Sequence, residues 1–236
     1  MADMQKDAIL SDAQLAPAGL PMLGMDDVAT VTGVISVGAA WDASTKGRGG
    51  VLGKLSKKGG ADLDALAVLM QDGDPTVLCV GWDENYKNPL HGQPGDGSII
   101  HTGDAITGDE AADGDDEAVI IDLDKIPGEF DAIVVEVAAF KKKNKVMKDQ
   151  GFQGAANVLF TVYNGRPEQK VKEFCIRPSL VGKENCVIVC ILTRVKDGQG
   201  RPTTTFELRK RKIRVNVEHG NVAALIGSAT SAYQQQ

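Results

Sequence analysis

The chain has 236 residues, 42% of them apolar and 25% charged, which is enough to bury a core as one large domain or two small ones and argues against wholesale disorder. Its formal net charge of −6 argues against a general nucleic-acid or anionic-membrane binder, although acid concentrates before Asp131 whereas Lys141–Lys148 and Arg209–Arg214 are basic. No apolar run approaches the roughly twenty residues that span a bilayer, and MADMQKDAIL lacks the basic-then-apolar pattern of a secretory signal, so a cytoplasmic location is expected.

Residues 1–27 are polar, small and broken by Pro17 and Pro21, and read as an N-terminal extension or arm with one short helix before Pro17. The domain proper runs over residues 28–217. It opens on a β-branched strand, Val28–Val37. Trp41-Asp42 then leads into the glycine- and lysine-rich stretch 44–60. Its Gly53-Lys54 is not a P-loop, because Leu55 follows the lysine and no helical pattern comes next. Asp62–Met70 alternates briefly and then turns continuously apolar, as a strand buried on both faces does. The turn Asp72-Gly-Asp-Pro separates it from a strand at Thr76–Trp82, after which Asp83–Gly97 is a proline- and glycine-containing loop.

Two short strands follow, Ser98–His101 and Ala118–Asp122. The loop between them carries Asp104, Asp109, Glu110, Asp113, Asp115, Asp116 and Glu117, interspersed with Gly103, Gly108 and Gly114. Carboxylates this dense repel one another, so the loop either stays extended in water or gathers around a cation. Oxygen donors without cysteine favour calcium, then magnesium or manganese, over zinc. A second acidic pair, Asp62 and Asp64, opens another strand. The spacing is not that of an EF-hand.

Further strands are expected at Ile133–Ala139, Ala155–Tyr163, Lys170–Ile176, Cys186–Thr193 and Thr203–Val217, punctuated by Pro127-Gly128, Asn164-Gly165, Pro178 and Asp197-Gly-Gln-Gly. Within the last strand the run Arg209–Arg214 reads as an edge protected by charge. Residues 218–236 form a C-terminal tail whose Asn221–Ala229 segment is helical. Cys186 and Cys190, four apart in a strand, fall on one face about 13 Å from each other and are expected to be reduced and unbridged. Many short strands with turns every ten or so residues give an all-β fold, an antiparallel sandwich or barrel.

The ordered motifs of this chain resemble those of the TerD family, associated with bacterial tellurite resistance and stress responses. Val37-Gly-Ala-Ala-Trp-Asp42 resembles V-G-L-G-W-D, and Asp62-Leu-Asp-Ala65 resembles D-L-D-A-S. Gly97–Asp104 with Thr107-Gly108 and Gly114-Asp-Asp-Glu117 resembles G-S-V-x-H-x-G-D-N-x-T-G…G-D-D-E, and Asp122-Leu123 with Ile126-Pro127 resembles D-L-x-x-I-P. Ala105 stands where the family has asparagine, and the family's C-terminal pattern is replaced by Lys212–Val217 and an unrelated tail.

The resemblance implies an antiparallel β-sandwich with acidic metal-binding loops at one end and a short C-terminal helix, binding Ca2+, typically two ions. The metal ligands it implies are Asp62, Asp64, Asp104, Asp109, Asp115, Asp116 and Glu117 with the backbone oxygens of Thr107 and Gly108. Asp42 and His101 stand beside them. It also implies a non-enzymatic calcium-binding module of a stress-response or envelope-associated complex, located in the cytoplasm and reaching the inner membrane face through partners. Those partners would be other proteins of the complex or further copies of the chain. One alternative is a structural or assembly protein of a virion or secretion-like particle, using the arm and the 209–214 basic run. Another is a metal-assisted hydrolase with His101, the histidine nearest the acids, as its acid–base group. No Ser/His/Asp or Cys/His constellation is present, so no catalytic residue is assigned.

Overall fold

The computed structural model describes residues 27–43, 62–72, 74–80, 97–102, 116–140, 155–165, 172–176, 185–211, 214–215 and 222–235. The expected N-terminal helix, the lysine-rich stretch 44–60 and most of the acidic loop lie outside them. One sheet contains β1 (Val28–Val31), β3 (Asp62–Gln71), β4 (Asp74–Val80), β7 (Ala132–Phe140), β10 (Cys186–Lys196), β11 (Pro202–Lys210) and β12 (Arg214–Val215). The other contains β2 (Val34–Ala43), β5 (Ile99–His101), β6 (Glu117–Asp122), β8 (Ala155–Asn164) and β9 (Lys172–Ile176). The larger sheet runs β1-β11-β10-β7-β3-β4, with β12 pairing with β10, and the smaller runs β5-β6-β2-β8-β9. Every described pairing is antiparallel, and the two sheets share one apolar core. The all-β sandwich expected from the sequence is therefore present.

Alternation builds that core. Ile35, Val37, Ala39 and Trp41 from β2 and Val119 and Ile121 from β6 meet Leu63, Ala65, Ala67 and Leu69 from β3 and Ile133, Val135 and Val137 from β7. The continuous apolar run of β3 has a second reason. Its opposite parity, Leu66, Val68 and Met70, packs with Val134, Ala138 and Ile188 beneath helix α1 (Val222–Gln234). Leu225, Ala229 and Ala232 of α1 close this second core, so three layers stack in the order small sheet, large sheet, helix. The helix expected at Asn221–Ala229 extends to Gln234.

Three local expectations are corrected. Val28–Val37 is not one strand. Gly33, at φ 66°, breaks it, and the chain passes there from the large sheet (β1) to the small one (β2). Cys186 and Cys190 do not share a face, because a bulge between Ile188 and Cys190 shifts the parity of β10. Cys186 lies under α1 and Cys190 lies between the sheets, where burial pushes its thiol up to about 12. Finally, β11 is not an edge. It lies between β1 and β10, with Val28 paired to Arg209, and the expected strand Thr203–Val217 divides into β11 and β12.

A buried arginine fixes the turn after β6. Arg194 is 6% exposed and donates to the carbonyl oxygens of Phe130 (2.8 Å), Ile126 (3.0 Å), Pro127 (2.9 Å) and Thr203. Its guanidinium stacks over Phe206 at 4.5 Å from the ring centre. Burial lowers its pKa, opposed by the charges of Asp131 and Glu129.

Candidate metal centre

The end of β2 and the start of β6 are fastened by Asp116. Its amide donates to the Ala39 carbonyl (2.8 Å) and its Oδ2 accepts from the Trp41 amide (2.8 Å), so the residue continues the β2–β6 ladder beyond the strand proper. On the other side of β6, Thr102 donates its amide to the Ala118 carbonyl (3.0 Å) and accepts from the Ala118 amide through Oγ1 (2.9 Å), which extends the β5–β6 pairing.

Glu117 joins the two sheets. Its side chain is buried, and its Oε2 accepts from the Ala65 amide at 3.0 Å. Ala65 pairs with Val137 on β7, and its amide goes to the Glu117 carboxylate. The same oxygen lies 3.3 Å from His101 Nε2, whose side chain is 4% exposed. The start of β6 thereby draws β2, β3 and β5 to one end of the sandwich.

The sequence-predicted residues divide as follows. Asp116, Glu117 and His101 come together at this end of the sandwich, around the start of β6. Asp64 is buried, precedes Ala65 and shares strand parity with Leu66, so it faces away from the inter-sheet core that Glu117 enters. Asp42 is the penultimate residue of β2 and Asp62 the first residue of β3. Asp104, Thr107, Gly108, Asp109 and Asp115 lie outside the described residues. Among the described residues no three histidine, cysteine, aspartate or glutamate side chains gather as a metal-ligand set. The donor chemistry at this end nevertheless fits a hard cation. Its described acidic groups are carboxylates, two of them already positioned by backbone amides, with no sulfur donor beside them.

Sequence reasoning missed a second cluster, on the other side of the large sheet. Glu136 interrupts the apolar strand β7 and is fully buried beneath α1, where Ser228 Oγ lies 2.9 Å and Cys186 Sγ 3.5 Å from its Oε2. The available signal was a lone acid in the run AIVVEVAAF, whose neighbours are all apolar.

A TerD domain model matches residues 25–199. Among curated proteins, the chain is 31% identical over 159 residues to stress response protein SCP2 of Bacillus subtilis (strain 168), covering 65% of this chain and 72% of that protein. It is 36% identical over 104 residues to tellurium resistance protein TerD of an Alcaligenes species, covering 44% of this chain and 45% of that one. Among solved structures, a homologue of telluride resistance protein (TerD) from Streptomyces coelicolor A3(2) superposes with a TM-score of 0.58 at 19% identity, over 84% of this chain and 99% of that chain, a likeness of fold.

Proposed function

The chain belongs to the TerD family, and on that premise we propose that it is a stress-response protein related to tellurite resistance whose acidic end binds calcium and presents a stiffened surface to a protein partner. The observation that carries this reading is Glu117: one buried carboxylate spans from β6 to the β3 strand that opens with Asp62 and Asp64. Ions held between the 104–117 loop and the start of β3 would tie the two sheets at that end more tightly. Binding only to the folded form stabilises it by mass action.

Asp62, Asp64, Asp104, Asp109, Asp115, Asp116 and Glu117, with the Thr107 and Gly108 carbonyls, are the proposed ligands, and Asp42 is the next acid at that end. The function is non-enzymatic in this reading. His101 supports it, because its ring is packed against Glu117 instead of facing solvent, as a structural histidine is. The test is thermal unfolding of metal-stripped protein titrated with calcium and, separately, with magnesium. A shift selective for calcium, mostly lost in Asp104→Ala, is expected. An Asp104→Ala variant that keeps the full calcium shift would sink the ligand assignment.

A further inference from the structure

The cluster beneath α1 carries an inference independent of the calcium reading. Glu136 is 0% exposed, and among the described residues its Oε1 has no hydrogen-bond partner. Its Oε2 meets, among the described residues, the Ser228 hydroxyl and the Cys186 thiol, a weak donor. The Ser228 hydroxyl also lies 2.7 Å from the Leu225 carbonyl oxygen. A hydroxyl has one proton and a carbonyl can only accept, so when Leu225 takes that proton the short contact to Glu136 needs a proton from the carboxyl itself. The geometry suits a neutral acid and leaves an ionised one with an undonated oxygen in an apolar layer. Among the described residues no cation offsets such a charge. From β3, Leu66 pairs opposite Glu136, and the ionisable residues on that parity are Asp64 and, at the start of the strand, Asp62. From β10 come Cys186 and Ile188, and from α1 come Ser228 and, at the far end, Tyr233.

The helix itself is weakly held. Its sequence, VAALIGSATSAYQ, has no acid in the first turn and no base in the last, so the helix itself offsets neither end of its dipole. At its C-terminal end Tyr233 senses the charges of Asp131 and Asp72, which, after burial, push its phenol up. Thirteen residues of this composition are marginal as an isolated helix, so α1 persists through docking. Docking rests on Leu225, Ala229 and Ala232, with Ile226 and Tyr233 at the margins. The helix also lies beyond the part of the chain that matches the family, residues 25–199.

We propose that α1 is a pH-released cap on the large sheet, docked while the Glu136 carboxyl is neutral and lifted when that carboxyl ionises. In the docked state, burial raises the Glu136 pKa from 4.5 to about 8, against the smaller opposing effect of Ser228 and Cys186. Lifting α1 hydrates the carboxyl and returns it toward its ordinary value, so alkalinity favours the lifted form. The release uncovers Leu66, Val68, Val134 and Ile188 and leaves the sandwich core between the sheets in place.

Hydrogen exchange of the full chain, corrected for the intrinsic pH dependence of amide exchange, tests this. Between about pH 6 and about pH 8 the opening of residues 222–234 should increase roughly fiftyfold in the wild type, while β7 and β10 keep their protection. Glu136→Gln should flatten that rise, and Glu136→Leu provides the same comparison if the glutamine variant does not fold. Constant protection of α1 in the wild type would overturn the proposal. So would an equal rise in a Glu136 variant, or loss of protection in β7 and β10 together with α1.

Discussion

Replacing Arg194 by lysine tests whether the turn after β6 is held by one guanidinium. Arg194 supplies donors to four carbonyl oxygens, those of Phe130, Ile126, Pro127 and Thr203, and stacks on Phe206. A lysine ammonium is a compact point and cannot span acceptors that lie on both sides of the planar fork. At best it reaches two of them and leaves two without a donor. Ile126 and Phe130 are buried, so water cannot readily take over there. At about 1 kcal/mol or more for each orphaned carbonyl, plus about 0.5–1 kcal/mol for the lost ring contact, the substitution should cost about 3 kcal/mol. For a domain of this size that is a fall in Tm of roughly 6–12 °C. Urea unfolding of metal-stripped protein, followed by tryptophan fluorescence and far-UV circular dichroism, reads the loss directly, with an unchanged m-value showing that the denatured state is unaffected. Arg194→Met separates charge from hydrogen bonding: it removes the buried cation but orphans every carbonyl, so it should be at least as costly as lysine. A lysine variant within about 0.5 kcal/mol of wild type would refute the reasoning.

Other changes have equally direct readouts. Glu117→Ala removes the acceptor for the Ala65 amide and leaves His101 facing a void, and should destabilise metal-stripped protein by about 1–3 kcal/mol in urea titrations; an unaffected variant would mean that the cross-sheet contact is dispensable. Gly33→Ala places a β-carbon at φ 66°, and although nothing lies within 4 Å of that carbon, the backbone strain should cost about 1–2 kcal/mol, again read in urea. Because the Glu136 pKa is raised in the folded state, its contribution is fully present below about 4.5 and is lost as pH rises toward about 8. Global stability should therefore decline across that window by an amount on the order of a few kcal/mol, and Glu136→Gln should remove the decline.

The sequence disclosed the strands, the sandwich and the acidic motifs, because alternation, turn residues and carboxylate density are local signals. Features that depend on a partner elsewhere in the chain were hidden. Val28–Val37 reads as one β-branched run, and only the pairing of β1 with β11 and of β2 with β6 and β8 reveals that Gly33 sends its halves to different sheets. The charge of Arg209–Arg214 suggested an edge, since a charged strand looks alike whether its neighbour is water or β1. Cysteines four apart should share a face, and the bulge that separates them leaves no mark in CVIVCILT. At the candidate metal end, the acids were legible by type and order. That Glu117 reaches across to the Ala65 amide of β3 depends on how the two sheets stack, which no local pattern encodes.

The handover at Gly33 also dictates an order of assembly. The first strand of the domain is completed by nearly the last: Val28 faces Arg209 and Val31 faces Phe206. Its immediate successor β2 goes to the opposite sheet and waits for β6 and β8. During synthesis, therefore, the emerging N-terminal half carries apolar strands that cannot yet be matched, and the large sheet closes only after β11 has left the ribosome. Contacts this distant along the chain make folding slow for a protein of its length and lengthen the interval in which unpaired strands can meet those of another copy.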